Sequence, residues 1–474
     1  MPATRFSLVV GFCVLAPAFT FGQVTVGPNV NVSRRSGNEA ETAIAIDRSN
    51  PSNVVIVSNY DGSNMFRAST TNGGATWTSG SVGVNACCDP WLGSDSFGNI
   101  YLSYLTNSVN SQTIVARSTN GGQTFATIAS VGSSTDHPEL GVGPGPAAGQ
   151  QSVWVAHSDT TVRAFGATST ALGVTSGFTT PQALTGSTNG NFGSVAVGPG
   201  GRVATTFMTP SGTVGPATLP VYSNPTGAAG GFSQVSNSVT TQVGGFRLIP
   251  AQPNRSIDAQ VDLKYDFSGG ARNGQLTMLY TQAANPSTND TNIVVRRSTD
   301  NGATWTSEVR INTDTGTNSQ FFGRLAIDQT TGDMAAVWLD ARNDLTNNTK
   351  VELWGSVSRD GGATWLPDFK ISQGQWDGRQ ANTGNPNEMG DYMSLDFYNG
   401  KFVVAWADSS NSTLDNPNGT TDLDIYYAQV TLAPVPEPAA GLLAAAGLLA
   451  WRGLRRAGRS RGRSPVAPDA GPAA

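Results

Sequence analysis

Hydrophobic residues alternate with polar ones along most of the chain, in short runs separated by Gly, Asn, Asp, Ser and Thr. NVVIVS from Asn53 and KFVVAW from Lys401 are two of the strongest runs. A period of two places successive side chains on opposite faces of a β-strand, whereas an amphipathic helix needs a period of 3.6. The pattern predicts an all-β protein.

Three strand patterns recur in the same order along the body of the chain, which indicates an internal repeat. A second strand follows each first strand after about ten residues, and a third strand follows the second. The seven first strands are predicted at 42–47, 90–95, 139–143, 193–198, 259–263, 324–328 and 392–397.

A small meander of about four strands cannot bury both of its faces alone, but copies arranged in a ring can. The repeat therefore predicts a seven-bladed β-propeller, with six blades as the alternative if the third and fourth copies merge. The last copy ends at its third strand. We expect residues 24–32 (VTVGPNVNV) to supply the missing outer strand and to close the ring.

Four turns after third strands share the pattern S-x-D-x-G-x-T-W, two of them perfectly and two as close variants with Asn in the Asp position. The acidic or amide side chain is expected to cap backbone N–H groups, and the glycine to take a positive φ. The aromatic residue is expected to pack between neighbouring sheets. The motif residues are Thr70, Asn72, Gly74, Trp77, Ser118, Asn120, Gly122, Phe125, Ser298, Asp300, Gly302, Trp305, Ser358, Asp360, Gly362 and Trp365.

With these motifs the chain resembles the Asp-box (BNR repeat) β-propellers, over about 400 residues. That group includes sialidases, some endo-acting glycosidases and many noncatalytic members. The resemblance implies the fold, and it implies that the boxes lie on the face opposite the ligand. It does not assign a reaction, because function depends on the site and not on the fold.

Ligands of propellers usually bind at the channel mouth, which is formed by the starts of the first strands and by the loops between second and third strands. Candidate catalytic side chains there are Asp89, Asp136, Glu139, Asp391, Tyr392 and Arg324. Candidate ligand-binding side chains are Phe192, Phe322, Asp340 and Arg342. Glu41, His137, His157 and Asp258 occupy similar positions.

Three interpretations of the mouth carboxylates stay open. If they converge, they raise one another's pKa and provide the proton donor and acceptor that glycoside cleavage uses. They would equally suit calcium, which prefers oxygen ligands. In the third interpretation each carboxylate caps its own turn and none converge. The metal therefore stays unassigned.

The comparison with sialidases finds differences. Phe246 to Pro250 reads Phe-Arg-Leu-Ile-Pro, which has one residue more than the Phe-Arg-Ile-Pro element of that family and follows two boxes instead of preceding the first. Only Arg324 and Arg342 are candidate mouth arginines, whereas sialidases use three. We therefore carry no sialidase residue role over to this chain.

Composition narrows the classes of partner. Seven of the 28 basic residues and only two of the 33 acidic residues lie in the terminal segments, so the body is more acidic than the net charge of −5 suggests. Nucleic acid is excluded as a partner because phosphate binding needs clustered cations. Three cysteines and two histidines exclude a Cys/His zinc site. Cys87 and Cys88 are adjacent, either as a vicinal disulfide or as two buried thiols.

The two ends are predicted to be targeting segments. Residues 1–23 combine an arginine, an apolar run and small residues, as in a secretory signal peptide. Near the C-terminus, Pro436, Glu437 and Pro438 precede the apolar run 439–451 and a cluster of arginines. This tail resembles the PEP-CTERM sorting signal, which implies an exosortase-type processing enzyme as partner and transient anchoring of the short segment in the inner membrane.

The domain prediction is a signal peptide at 1–23, a propeller at 24–431 and a sorting tail at 432–474. We expect an exported protein of the cell envelope, outer surface or extracellular matrix. Three functions stay open: a module that binds a glycan or extracellular polysaccharide at the channel mouth, a glycoside hydrolase of exo-sialidase-like or neutral-sugar type, and a noncatalytic structural matrix protein.

Overall fold

The computed structural model describes residues 24–60, 64–83, 85–174, 177–434 and 471. Seven antiparallel sheets follow one another along the chain, and each forms one blade. Blade 1 contains β3 (Glu39–Ile46), β4 (Val54–Tyr60), β5 (Phe66–Thr70) and β6 (Thr78–Ser81). Blade 2 contains β7 (Ala86–Ser94), β8 (Ile100–Thr106), β9 (Thr113–Ser118) and β10 (Ala126–Val131).

The next two blades are less regular. Blade 3 contains β11 (Asp136–Pro144), β12 (Gln151–Ser158), β13 (Val162–Thr170) and two short outer strands, β14 (Gly173–Val174) and β15 (Gln182–Ala183). Blade 4 contains β16 (Asn191–Val197), β17 (Val203–Met208), β19 (Val221–Asn224) and β20 (Ser233–Ser236). Short 3-10 helices lie at Pro199–Gly201 and Gly227–Ala229. The two sheets are separate, so the prediction of seven blades is confirmed over the alternative of six.

Blade 5 contains β24 (Asp262–Tyr265), β25 (Leu276–Ala283), β26 (Thr291–Ser298) and β27 (Val309–Arg310). Blade 6 contains β28 (Gln320–Ile327), β29 (Met334–Asp340), β30 (Glu352–Ser358) and β31 (Phe369–Lys370). Blade 7 contains β32 (Ser394–Tyr398), β33 (Lys401–Asp408) and β34 (Asp424–Leu432).

The N-terminal strands β1 (Val24–Val26) and β2 (Val30–Asn31) complete blade 7 from its outer edge. The sheet order is β1-β34-β33-β32, and β2 also pairs with β34, Val30 opposite Tyr427. Between the two strands, Gly27 donates its backbone N–H to the carbonyl of Gln429 at 2.8 Å. The prediction that the N-terminal segment closes the ring is confirmed.

The hydrophobic face of each strand packs against the adjacent blade. Ile44 and Ile56 of blade 1, for example, pack against Val403 and Ile425 of blade 7. Similar clusters join the other consecutive pairs of blades from blade 1 to blade 6. Because both faces of an inner blade are covered, the alternation of apolar residues stabilises a ring rather than an open sheet.

The Asp-box turns close through hydrogen bonds within the motif. In blade 5, Ser298 Oγ accepts the N–H of Gly302 at 2.8 Å and donates to Asp300 Oδ1 at 2.7 Å, while Asp300 Oδ1 accepts the N–H of Thr304 at 2.9 Å. Gly302 has a φ of 89°. Blades 1, 2 and 6 repeat these three bonds. The predicted capping role of the boxes is confirmed, and we call the face that carries them the lower face.

Two insertions cross the opposite, upper face. The connection between blades 4 and 5 contains β21 (Thr240–Thr241), which pairs with β18 (Ala217–Thr218), and a hairpin of β22 (Arg247–Ile249) and β23 (Gln252–Ile257). The connection between blades 6 and 7 contains the helix α1 (Gln380–Thr383). In the described residues, no helix is long and apolar enough to cross a membrane. The predicted signal peptide and most of the predicted sorting tail, including 439–451, lie outside those residues.

Candidate functional site

Five first strands carry a residue other than glycine in the left-handed region of φ near their upper ends, and a sixth such residue lies just before β24. Five of these residues lie at a β-bulge, where two residues oppose one on the second strand. A bulge redirects a side chain out of the ordinary alternation, and left-handed backbone costs on the order of 1–3 kcal/mol for such residues. The six residues are Glu41 (φ 52°), Asp89 (57°), His137 (51°), Phe192 (52°), Gln260 (45°) and Phe322 (55°).

The carboxyl groups of Glu41 and Asp89 are electrostatic neighbours at this upper mouth. Glu41 also accepts a hydrogen bond from the Asn59 amide, and Asn59 Oδ1 accepts the backbone N–H of Asp89 at 3.2 Å. Both acids are more than nine-tenths buried. Burial and the nearby Asp391 carboxylate raise the pKa of Glu41 to about 7. Burial and the Glu41 carboxylate raise the pKa of Asp89 well above its usual range, so the two acids hold a proton between them near neutral pH.

The β22–β23 hairpin reaches across the upper mouth and delivers a cation to these acids. Arg255 donates to Asp391 Oδ1 at 2.9 Å and Oδ2 at 2.5 Å, and it lies 3.4 Å from Glu41 Oε1. Glu388, in the connection between blades 6 and 7, holds the hairpin by accepting from the Asn254 side chain at 2.8 Å. Sequence reasoning missed Arg255 because the contact spans 136 residues and lies outside the repeat.

A carboxylate and an amide form the more exposed side of the mouth. Asp136 is exposed and accepts a hydrogen bond from Asn191 at 2.7 Å, and the hydroxyl of Ser158 donates to Asn191 Oδ1 at 2.5 Å. Phe192 is half-buried beside them, with its ring 5.4 Å from the His137 ring. This side leaves polar atoms and one aromatic edge accessible to a ligand.

Below these groups a layer of rings closes the channel. Trp91 and Tyr392 stack with centroids 4.9 Å apart, and the Arg324 guanidinium lies 4.2 Å from the Trp91 centroid. His137 meets the Tyr392 ring edge-on at 5.5 Å. Burial lowers the pKa of His137 to about 4, and within the described chain neither of its ring nitrogens has a hydrogen-bond partner, so the imidazole is neutral. The Tyr392 hydroxyl donates to the Pro90 carbonyl at 3.3 Å.

The predicted site residues therefore separate into groups. Asp89, Asp136, Asp391 and Phe192 meet at the upper mouth. Tyr392 and Arg324 are buried in the layer beneath it, with 2% of each residue exposed, so they do not face solvent. Their roles in ligand binding or catalysis stay predictions.

Four predicted placements are corrected by the structure. Phe322 is 1% exposed and packs edge-on against Phe321 at 4.9 Å, so its ring is not open for stacking on a ligand. Glu139 lines a cavity below the ring layer, where Ser194 donates to it at 2.7 Å. Asp340 and Arg342 belong to an ion cluster in blade 6.

In that cluster Arg342 bonds Asp340 at 2.7 Å and Asp368 at 2.6 Å, and its guanidinium lies 4.1 Å from the Trp354 centroid. Asp340 also accepts the indole N–H of Trp338 at 2.8 Å. Blade 7 repeats this Trp-to-Asp bond at the corresponding second-strand end, between Trp406 and Asp408 at 2.9 Å. The repetition identifies an internal polar contact of the fold.

The two adjacent cysteines lie at the mouth. Cys87 and Cys88 form a vicinal disulfide directly before Asp89, in place of two free thiols. In the part of the chain that the structure describes, no group of three or more His, Cys, Asp or Glu side chains could hold a metal ion. His157 is buried in blade 3, where its Nδ1 lies 2.8 Å from the Thr113 hydroxyl.

Comparisons with known proteins identify no family for this chain. No protein-family model matches the chain, and no curated protein matches it. A protein of unknown function from Dyadobacter fermentans has a similar structure, at 12% identity and a TM-score of 0.49, over 86% of this chain and 99% of that one. An ulvan lyase, described as a new family of polysaccharide lyase, matches at 11% identity and 0.49, over 84% and 95%. An α-L-arabinofuranosidase of Fusarium graminearum in complex with arabinobiose matches at 12% and 0.41, over 70% and 98%.

Proposed function

We propose that this protein is exported and that its upper mouth binds a neutral glycan. The observation that carries the proposal is the convergence of hydrogen-bonding side chains from different blades. Glu41 and Asn59 come from blade 1, Asp89 from blade 2, Asp391 from the start of blade 7 and Arg255 from the hairpin. Sugar hydroxyls both donate and accept hydrogen bonds, so acids, an amide and a guanidinium in alternation are suited to them.

The charge of the mouth favours a neutral ligand over an anionic one. Arg255 is paired with Asp391 and Glu41, and Arg324 is buried beneath the rings. Asp136 adds an exposed carboxylate. Among the described residues, the side chain that contacts this carboxylate is the amide of Asn191 and not a cation. An anionic sugar would meet this surplus of carboxylates, and like charges in contact cost several kcal/mol. Phe192 offers an apolar edge for a sugar ring beside the acids.

A glycoside hydrolase is the second candidate, and the proton held by Glu41 and Asp89 favours it. A carboxylic acid with a raised pKa can protonate a leaving group near neutral pH. Glu41 and Asp89 interact with each other, so they would act together as one proton donor. Hydrolases hold their two acids about 5 to 9.5 Å apart, so the second carboxylate must come from elsewhere in the mouth. Asp391 or Asp136 would then be the second carboxylate.

One experiment separates the two candidates. The full-length protein is mixed with a panel of neutral, acidic and sialylated polysaccharides, and both retention and release of reducing sugar are measured. We expect retention on neutral polymers that falls at least tenfold in Asp89→Asn and Asp391→Asn. Asp300→Asn is the matched control, because Asn72 occupies the same Asp-box position naturally. Release that is lost in the two mouth variants would establish hydrolysis, and equal retention by all variants would contradict the mouth site.

We also propose export and surface sorting from the terminal segments. The support is the order of the motif Pro436, Glu437 and Pro438, the apolar run 439–451 and the arginine cluster. Changing Pro436 and Glu437 to alanine should leave the protein in the inner-membrane fraction of its host. Unchanged release from the cell would contradict processing at this motif and would leave the mouth proposal unaffected.

A further inference from the structure

A second cavity occupies the channel below the ring layer. Its volume is about 270 Å³, and it extends from Trp91, Glu139 and Arg324 to Asp396 and Tyr398 on the lower face. First-strand residues form most of its wall. Ser96, in the turn after the first strand of blade 2, is exposed at its lower rim, on the same face as the Asp boxes.

Two buried polar atoms on residues of this wall lack a partner within the described structure. Glu139 is 1% exposed, and its Oε1 accepts from Ser194 while its Oε2 has no hydrogen-bond partner. Trp91 is 8% exposed, and its indole N–H is also unpaired. A buried unpaired polar group costs on the order of 1–3 kcal/mol, so a ligand that accepts from the indole and donates to the carboxylate would recover that cost.

The charges of the wall are balanced. Lys264 pairs with Asp262, and Arg48 pairs with Asp396 at 2.5 Å. Arg324 lies 4.0 Å from Asp262, which leaves the Glu139 carboxyl as the acid without a direct ion pair among the described wall residues. Burial raises the pKa of that carboxyl to about 7. A neutral polar ligand matches a wall with no excess of either sign.

Aromatic faces accompany these polar groups. Trp91, Tyr265, Phe267 and Tyr398 all line the cavity. Rings beside buried hydrogen-bonding groups are the usual composition of a small-molecule site, in which apolar area supplies affinity and a few polar groups fix the orientation.

We propose that the lower cavity binds a single neutral sugar ring or a polyol of that size, which enters from the Asp-box face. The Glu139 carboxyl and the Trp91 indole N–H hold its hydroxyl groups, and the aromatic wall packs against its carbon skeleton. This site is independent of the upper mouth, because the layer of Trp91, Tyr392 and His137 separates the two.

The test is a calorimetric titration of the full-length protein with D-glucose, D-galactose and D-mannose, together with saturation-transfer NMR. We expect at least one of the three sugars to bind. Glu139→Gln should weaken that sugar about tenfold, since the amide keeps the volume but changes one acceptor into a donor. Ser96→Trp should block the lower rim and weaken binding at least thirtyfold, whereas Ser79→Trp, on the exposed outer strand of blade 1, should have no effect.

Asp391→Asn separates this proposal from the mouth proposal, because it should leave monosaccharide binding unchanged. Absence of binding for all three sugars would overturn the lower site. Binding that persists in both Glu139→Gln and Ser96→Trp would also overturn it. If Glu139→Gln does not fold, as judged by its melting curve, Ser96→Trp decides the question because its side chain lies outside the core.

Discussion

The two faces of the ring use the same blades in opposite ways. On the lower face, four turns repeat one set of hydrogen bonds within eight residues of sequence, so each box satisfies its own polar groups. On the upper face, six blades repeat one backbone conformation on or just before their first strands, with five different residue types from Glu41 to Phe322. Their partners come from other blades. Where a repeat keeps the backbone conformation but varies the side chain, the varied side chains can form a ligand site without changing the fold.

The largest expected effect is a loss of glycan affinity when Arg255, the cation of the β22–β23 hairpin, is replaced. Arg255→Met removes the cation that pairs with the buried Glu41 and the partly exposed Asp391. Truncating one member of such a pair costs on the order of 2–5 kcal/mol in binding, so glycan affinity should fall about 100-fold. Calorimetry measures the affinity, with Asp300→Asn beside it. Full affinity in Arg255→Met would remove the hairpin from the site.

The next-largest expected effect is a loss of stability at the lower face without a loss of glycan affinity at the upper mouth. A Cβ at Gly122, where φ is 78°, would lie 2.1 Å from Val55 Cγ2. Gly122→Ala should therefore lower the melting temperature by several degrees while glycan affinity stays unchanged. Gly269→Ala is the matched control, since Gly269 also has a φ of 78° but no atom within 4 Å of the added Cβ. Equal losses in both variants would show that backbone strain alone is responsible.

The pH dependence of the melting temperature distinguishes the buried acids of the channel from the Asp boxes. The folded-state pKa values of Glu41, Glu139 and Asp258 are raised to about 7, chiefly by burial. A raised acid pKa favours the folded state below the unfolded value near 4.5, and this contribution disappears as pH rises through about 7. The melting temperature should therefore fall between pH 5 and pH 8. Glu41→Gln should flatten that slope, while Asp300→Asn should keep it; a parallel slope in Glu41→Gln would refute the protonated pair.

The smallest expected effect comes from restoring the Asp of an Asp box. Asn72→Asp replaces an amide that donates to Thr76 Oγ1 at 2.8 Å with a carboxylate, as in blade 5, where Asp300 accepts from Thr304 Oγ1 at 2.6 Å. Charge-assisted hydrogen bonds are the stronger kind, so stability should rise by about 0.5 kcal/mol. Denaturant unfolding measures it, with Asn120→Asp in blade 2 as a replicate. A loss of stability in both would contradict the assumed equivalence of the boxes.

The fold was predictable because its determinants are local and repeated. Alternating strands, the Asp-box turns and the missing strand beside β34 are all readable along the chain. The site was predictable only in part. Asp89 and Asp391 follow from their place at the starts of first strands, whereas Arg255 comes from an insertion whose path no repeat determines.

Burial was the other property that the sequence pattern could not supply. Phe192 and Phe322 occupy the same strand position and the same left-handed φ, yet Phe192 is half-buried beside Asn191 and Phe322 packs on Phe321. Asp340 looked like a mouth acid because it ends a second strand. The indole of Trp338, two residues earlier, holds it inside blade 6 instead.

The central claim is that the upper mouth binds polysaccharide and that the Asp boxes of the lower face stabilise the ring. A paired measurement of glycan affinity and melting temperature on Asp391→Asn and Asp300→Asn tests it most directly. The account predicts that Asp391→Asn loses at least tenfold in affinity with little change in melting temperature, while Asp300→Asn keeps full affinity. Full affinity in Asp391→Asn, or an equal loss in both variants, would contradict the claim.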